Sequence, residues 1–205
     1  MYAGRLPAAM LSRFRRLQGN GVPAVIVVVY GNRAHEDALL ELRDLALEAG
    51  FRPIAAGAFV GEHSFSTDAV PIAAGRPDGE DMAKARSFGE MIRGEMASVR
   101  NGEKTEPLRV PGNFPYKELR MLSDIAPALH GALCTGCRNC LPVCPTSALH
   151  ADNPAMTDKG LCIKCCACVK ACPAGARTMD DARIRQIAEQ LSTNCRNRKE
   201  PETYL

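Results

Sequence analysis

The chain reads CTGCRNCLPVCP from Cys134 to Pro145 and CIKCCACVKACP from Cys162 to Pro173. Both stretches follow the pattern C-x2-C-x2-C-x3-C-P, and every patterned position of the first recurs in the second at the constant offset that separates Cys134 from Cys162. A repeat at a constant offset indicates two copies of one short structural unit. The pattern accounts for eight of the ten cysteines, and residues 1–133 contain none. The cysteines therefore divide the chain into two parts of different character.

The spacing suits a cubane 4Fe–4S cluster. Three cysteines separated by two residues can wrap one face of the cluster, while the N–H groups of the loop point at its sulfur atoms. The fourth cysteine of such a run ligates the other cluster, and the proline after it turns the chain out of the loop. The sequence thus predicts two clusters, one held by Cys134, Cys137, Cys140 and Cys172 and the other by Cys162, Cys165, Cys168 and Cys144.

Structural zinc is the alternative interpretation of the cysteines. Zinc sites favour two well-separated C-x2-C pairs, and three crowded cysteines followed by C-P have no role in them. Cys166 lies outside the pattern and is interpreted as a small apolar filler, with a ligand swap as the alternative. Cys195 is expected to be a free thiol. Arg138, Lys164 and Lys170 lie between ligands, where their charge would raise a cluster's potential, guide an acidic partner or simply be solvated.

The composition restricts partners and location. Lys and Arg total 26 against 23 Asp and Glu, without a dense basic stretch, which argues against nucleic-acid binding. No segment approaches the ~20 apolar residues that would span a bilayer, so no membrane is expected. The N-terminus lacks the order of a signal peptide, and ten cysteines without one favour metal or redox chemistry in a reducing cytoplasm.

The first 100 residues predict alternating helices and strands, which is typical of an α/β fold with a parallel sheet. The pattern predicts helices over about 7–18, 36–49 and from Asp78 to about 99, and strands over 23–29 and 51–60. The aliphatic run Ala24 to Val29 is interpreted as a buried strand. The helix from Asp78 carries Met82, Phe88 and Ile92 on its apolar face. A further helix is expected over 181–191.

The cysteine part resembles bacterial-type ferredoxins with two 4Fe–4S clusters, over about residues 130–178. The resemblance implies a small pseudo-symmetric α+β domain that transfers single electrons. It also implies short strands at His130 to Cys134 and at Ser147 to His150. We therefore expect a domain at 1–100, a linker at 101–129 and a two-cluster ferredoxin domain with a C-terminal helix at 130–205.

More of the chain resembles ferredoxins whose N-terminal region is flavodoxin-like. The stretches that carry this resemblance are YAGRLP (Tyr2 to Pro7), VVVYGNRA (Val27 to Ala34), FVGEHS (Phe59 to Ser64), IAAGRPD (Ile72 to Asp78), PGNFPY (Pro111 to Tyr116) and the tail KEPETYL (Lys199 to Leu205). The resemblance implies flavin loops at strand ends, with Tyr2 or Tyr30 stacking on the ring and Gly4, Gly31 and Asn32 nearby. The other interpretation of Tyr30-Gly-Asn is an ordinary turn between strand and helix.

The chain departs from flavodoxins at its start. The first two strands and the loop that binds the flavin phosphate are missing before Tyr2, so the parallel sheet is expected to be incomplete. FMN is therefore an alternative rather than an expected cofactor. The leading hypothesis is a low-potential one-electron carrier that meets a redox partner protein. A flavin-dependent oxidoreductase fed by its own clusters and a non-catalytic iron–sulfur subunit are the alternatives.

Overall fold

The computed structural model describes residues 2–100, 106–119 and 122–205. The chain groups into two compact units. The first combines Met1–His63, Ala73–Leu119 and Asn197–Leu205, and the second combines Ser64–Ile72 with Arg120–Arg196. This grouping differs from the ranges expected from the sequence at two places, because residues 64–72 and the last nine residues each belong with the other unit.

The helices and strands are, in chain order, α1 (Ala8–Phe14), β1 (Pro23–Tyr30), α2 (Ala38–Glu48), β2 (Arg52–Val60), α3 (Gly79–Arg100), β3 (Ala128–Leu129), α4 (Ala167–Lys170), β4 (Arg177–Thr178), α5 (Ala182–Asn194) and β5 (Glu202–Tyr204). Within the described ranges, no helix is both long enough and apolar enough to cross a bilayer, and this includes α3 with its 22 residues.

The first unit is built on a three-stranded sheet in the order β1–β2–β5. β1 and β2 run parallel, from Pro23 opposite Arg52 to Tyr30 opposite Val60, and α2 forms the crossover between them. Ile26, Val28 and Tyr30 of β1 form a core with Leu39 of α2 and with three residues of β2, which are Ala56, Ala58 and Val60. The predicted alternation of strand and helix is therefore confirmed as a mixed α/β unit with a small sheet.

The opposite face of this sheet is covered only in part. Phe88 of α3 packs on Phe59 of β2, with ring centroids 5.8 Å apart. On the same face of β1, by contrast, Val25, Val27 and Val29 are 40%, 44% and 52% exposed. The prediction of a buried strand at 24–29 was therefore wrong for one face. On α3, Phe88 is buried as expected, whereas Met82 is 46% exposed.

The segment expected to be a linker lies partly outside the described residues, which omit 101–105, 120 and 121. Its described part from 106 to 119 packs on α2. Leu108 enters the core, and the carboxylate of Asp37 accepts hydrogen bonds from the backbone N–H of Asn113 at 2.9 Å and of Lys117 at 2.8 Å. This stretch is thus part of the first unit.

The last residues complete the sheet of the first unit. β5 pairs antiparallel with β2, so that Tyr204 lies opposite Ala56. Asn32 holds the chain that leads into β5, because its side-chain amide donates to the carbonyl of Asn197 at 2.9 Å and accepts from the N–H of Lys199 at 3.0 Å. The turn after β1 therefore anchors the C-terminal tail.

The cysteine-rich part of the second unit, over residues 128–178, consists of two halves related by a pseudo-two-fold. β3 and β4 pair antiparallel, with Leu129 opposite Arg177, and a single bridge joins Leu149 to Thr157. The offset that takes Cys134 to Cys162 also takes Leu149 to Arg177 and Leu129 to Thr157. The Leu129–Arg177 pair and the Leu149–Thr157 bridge therefore occupy equivalent positions of the repeat.

Of two local expectations for this unit, one was wrong and the other is met. The strand predicted at His130 to Cys134 was wrong, because Gly131–Leu133 form a 3-10 turn and the strand β3 ends just before them. The expected terminal helix is present as α5, with Ile184 and Ala188 buried. Its position within the second unit places an apolar face next to the second cysteine run.

Candidate metal centre

Each cysteine run forms a loop that passes through left-handed residues at matching positions. Gly136 and Lys164 have φ angles of 71° and 59°, and Arg138 and Cys166 have φ angles of 61° and 54°. Left-handed residues between ordinary ones point successive backbone N–H groups into one concavity, which favours an anion. This conformation costs a non-glycine residue roughly 1–2 kcal/mol. Three of these four residues are not glycine, so the packing of the folded loops must compensate for that cost.

Four cysteines line a single cavity of about 280 Å³ in the second unit. Cys134, Cys137 and Cys140 come from the first run, and Cys172 comes from the end of the second. These four are the ligand set predicted for the first cluster, including the member from the other run. Among the described residues, no three His, Cys, Asp or Glu side chains converge closely enough to hold one metal ion. The cavity of about 280 Å³ that the four thiols line has room for more than a single ion.

The remaining four patterned cysteines also influence one another. Burial raises the pKa of the Cys168 thiol to about 11; Arg177 opposes this shift, and the neighbouring thiolates of Cys165, Cys162 and Cys144 add to it. Burial likewise raises the pKa of Cys162, with contributions from Cys165 and Cys144. Cys144 belongs to the first run, so thiols of both runs lie near one another here as well. Metal binding would have to displace protons from these buried thiols.

The fourth cysteine of each run accepts hydrogen bonds from equivalent backbone amides. Burial would raise the pKa of Cys144, but N–H groups of residues 146, 148 and 149 outweigh it and lower the pKa below its usual value. One of these bonds joins Ala148 N to Cys144 Sγ over 3.2 Å. At Cys172, too, burial would raise the pKa, but the N–H groups of residues 174, 176 and 177 outweigh this effect and lower the pKa of the thiol. These donors occupy matching positions of the repeat and stabilise a thiolate at both cysteines.

A buried arginine provides a test of what the first cavity can hold. Arg177 is 1% exposed and lies in the cavity wall beside the four cysteines. Its Nη2 donates to the carbonyl of Pro154, whereas Nε and Nη1 have no hydrogen-bond partner among the residues that the structure describes. A buried cation with free donors requires a negatively charged acceptor. A thiolate-ligated iron–sulfur cluster carries negative charge and sulfur acceptors, so the residues of this cavity fit it.

The comparison with known families agrees with this geometry. The sequence profile of the family described as "4Fe-4S binding domain" matches residues 130–150 and 155–178. A 4Fe–4S binding domain occupies residues 130–178. No curated protein and no solved structure matches the chain. The match covers both cysteine runs of the 4Fe–4S domain and does not extend to the first unit.

The two additional polar residues of the second loop have partners of their own. Lys164 is buried, and its ammonium donates to the carbonyl oxygen of Cys162 at 3.0 Å. The Cys166 thiol is also buried, and it donates to the carbonyl oxygen of Lys164 at 3.7 Å. Cys166 lines a separate cavity of about 370 Å³ together with residues of the 64–70 segment and α5. These contacts favour the interpretation of Cys166 as a filler in the 4Fe–4S domain.

The second predicted flavin loop is occupied by contacts within the first unit. The Tyr30 ring lies in the core and meets the His35 ring edge-on, with centroids 5.5 Å apart. The Asn32 side chain is 2% exposed and committed to the C-terminal tail. A Cβ on Gly31 would meet the His63 ring at 2.4 Å. These contacts correspond to the ordinary turn that the sequence left open for Tyr30-Gly-Asn.

The first predicted flavin loop is a tight turn. Tyr2 and Arg5 exchange two backbone hydrogen bonds of 2.9 Å. Gly4 has a φ of 82°, and a Cβ there would meet the Glu36 carboxylate at 1.8 Å. Glycine is thus required at this position by close packing. The contacts of these two turns therefore give no support to a flavin site.

Sequence reasoning missed Arg177 and the amide donors to the fourth cysteines. The signal for Arg177 was available in the repeat, because aligning the two halves on their cysteines places it opposite Leu149. A charged residue that replaces an apolar one at equivalent core positions indicates a specific role. The amide donors carry no side-chain signature, so only the backbone could reveal them.

Proposed function

We propose that the chain binds two 4Fe–4S clusters and passes single electrons between redox partner proteins. The first cluster is held by Cys134, Cys137, Cys140 and Cys172, and the second by Cys162, Cys165, Cys168 and Cys144. When bound, each cluster accepts and releases one electron at a low potential, within the range open to such clusters. The cytoplasm, which keeps thiols reduced, is the proposed location.

The observation that carries this proposal is the cavity with four thiols from two runs. Three cysteines of one run and the last cysteine of the other line the same space of about 280 Å³. A mononuclear zinc site would need neither the crossed fourth cysteine nor a cavity of this size. The matched family supports iron–sulfur binding independently.

The residues of the chain would prepare the site before the clusters arrive. The loops would aim N–H groups at the sulfur atoms, and the amides after Cys144 and Cys172 lower the pKa of these two ligands, which favours their thiolate form. Cys134 and Cys137 are exposed, so the first cluster would lie near the surface, where a partner protein can approach within electron-transfer distance.

The proposal is tested by metal content and redox titration of protein purified without oxygen. Two clusters require about eight irons and eight acid-labile sulfides per chain. They should reduce and reoxidise reversibly, as followed by their visible absorbance and by electron paramagnetic resonance. Zinc in place of iron would refute the cluster assignment. Clusters that cannot be reduced before the protein unfolds would refute the electron-carrier role and favour a non-catalytic iron–sulfur subunit.

A further inference from the structure

Arg177 is a buried cation whose hydrogen-bonding capacity is largely unused. Its exposure is 1%, and two of its three guanidinium nitrogens, Nε and Nη1, have no hydrogen-bond partner within residues 2–100, 106–119 and 122–205. In the described part of the chain no carboxylate forms an ion pair with it. Its single side-chain bond reaches the carbonyl oxygen of Pro154. A guanidinium in this state is costly unless an anion faces it.

The groups that do face Arg177 are the predicted cluster ligands. It lines the cavity formed by Cys134, Cys137, Cys140 and Cys172. Its charge also favours the thiolates of Cys172 and, from the other set, of Cys168. The guanidinium therefore lies at the wall of the first cluster and within electrostatic reach of one ligand of the second.

A comparison of Arg177 with its counterpart in the other half of the repeat shows which role belongs to its backbone and which to its side chain. Leu149 occupies the equivalent position in the other half. The backbone N–H of Leu149 lowers the pKa of Cys144, as the N–H of Arg177 does for Cys172. Leu149 is also buried, at 7% exposure. The loop thus folds with a leucine at this position, so the charge of Arg177 serves a purpose other than shaping the loop.

We infer that Arg177 donates N–H bonds from Nε and Nη1 to sulfur atoms of the cluster held by Cys134, Cys137, Cys140 and Cys172, and thereby raises its reduction potential. This inference rests on the proposed function. One added electron takes the cluster with its four thiolates from about −2 to about −3 in charge. A nearby buried cation stabilises the more negative state more strongly than the less negative one. Arg177 thus acts on the cluster directly and makes it easier to reduce.

Three variants of Arg177 separate charge from hydrogen bonding. Arg177→Leu copies the residue that the other half carries at this position, Arg177→Gln keeps N–H donors without charge, and Arg177→Lys keeps the charge. Arg138→Gln is the matched control, because Arg138 lines the same cavity but is exposed to solvent. The measured quantity is the reduction potential of each cluster in the intact protein, from titration followed by electron paramagnetic resonance. Cys137→Ala, which removes a ligand of the first set only, identifies the signal of the first cluster.

The reduction potential of the first cluster should differ among these variants in a defined order. Arg177→Leu should move the first cluster to a more negative reduction potential, and Arg177→Gln should do so to a smaller extent. Arg177→Lys should keep the potential of the first cluster close to that of the original chain. Arg138→Gln should shift it less than Arg177→Gln, since solvent screens an exposed charge. An unchanged potential in Arg177→Leu with both clusters intact would overturn the inference, as would equal shifts in the two glutamine variants.

A measurement on the unaltered chain covers the case in which the variants fail to assemble. Protein grown with arginine labelled with 15N only in its guanidinium group should show magnetic coupling between a nitrogen nucleus and the reduced first cluster in pulsed electron paramagnetic resonance, without a contribution from the backbone N–H that Arg177 directs at Cys172. The coupling should persist in labelled Arg138→Gln. Its absence in protein with two reducible clusters would refute the hydrogen bonds while leaving the proposed function intact. Absence of the clusters themselves would refute the proposed function and this inference together.

Discussion

Asp81 offers a sharp test of how the first unit is held together. Its carboxylate is 2% exposed and accepts from Nε of Arg76 at 2.7 Å, with a second bond from Nη2 of the same guanidinium. Arg76 in turn donates to the carbonyl oxygen of Lys199, at the start of the tail. Asp81→Asn would leave the buried guanidinium of Arg76 without its counter-charge. Removing one partner of a buried pair costs about 3–5 kcal/mol.

Hydrogen exchange read by mass spectrometry can measure this loss in the protein with its clusters bound. A cost of about 3–5 kcal/mol corresponds to exchange faster by roughly a hundredfold to several thousandfold in amides of β2 and β5 that open with the unit. Asp78→Asn is the matched control. Asp78 pairs with Arg198 in a partly exposed position, and asparagine can still cap α3, so its exchange should change little. Equal behaviour of the two variants would refute the reasoning.

The same carboxylate gives the stability of the unit a defined pH dependence. Hydrogen bonds from Arg76 hold the pKa of Asp81 below its usual value of 3.8. A depressed folded-state pKa means that the stabilisation is complete above 3.8 and is lost as the pH falls through the folded value. The difference in exchange between the original chain and Asp81→Asn should therefore stay undiminished from neutral pH down to about pH 5, above the range in which the carboxylate titrates. A difference that already vanishes near neutral pH would contradict this assignment.

Three further predictions concern the cysteine loops and the tail. Cys166→Ala should retain the full iron content, because its thiol bonds to a carbonyl oxygen; loss of one cluster would favour the ligand swap instead. All residues from 131 to 139 are exposed, whereas Cys168 is buried. Ferricyanide should therefore destroy the first cluster quickly and the second slowly, and Cys137→Ala, which lacks the first cluster, should show only the slow phase. Asn32→Gly keeps the left-handed turn but removes two bonds to the tail, which should cost about 1–3 kcal/mol and speed exchange in residues 197–205; unchanged exchange would exclude the tether.

The repeat made the cysteine loops predictable. The constant offset from Cys134 to Cys162 indicated two similar loops, and the structure repeats left-handed residues and amide donors at that offset. The strand beside them was misplaced by a few residues. Two-residue strands such as β3 carry too little pattern to be located, because long-range pairing with β4 decides where they form.

The first unit shows where sequence patterns lose information. Alternation along β1 separates two faces, but it does not say that α3 covers β2 and leaves Val27 exposed. The alternation of Ile26 and Val28 does place Tyr30 on the inner face, so its core position could have been deduced. The tail could not be placed, since three residues of β5 pair with β2 across most of the length of the chain.

The crossed ligand sets are the central claim, and the iron content of two double variants tests them most directly. Cys137→Ala removes the first cluster, which should leave about four irons per chain. Adding Cys172→Ala should leave those irons in place, because both cysteines belong to the same set, whereas adding Cys144→Ala should remove them as well. The opposite result, in which the Cys172 combination loses all iron and the Cys144 combination keeps one cluster, would contradict the account.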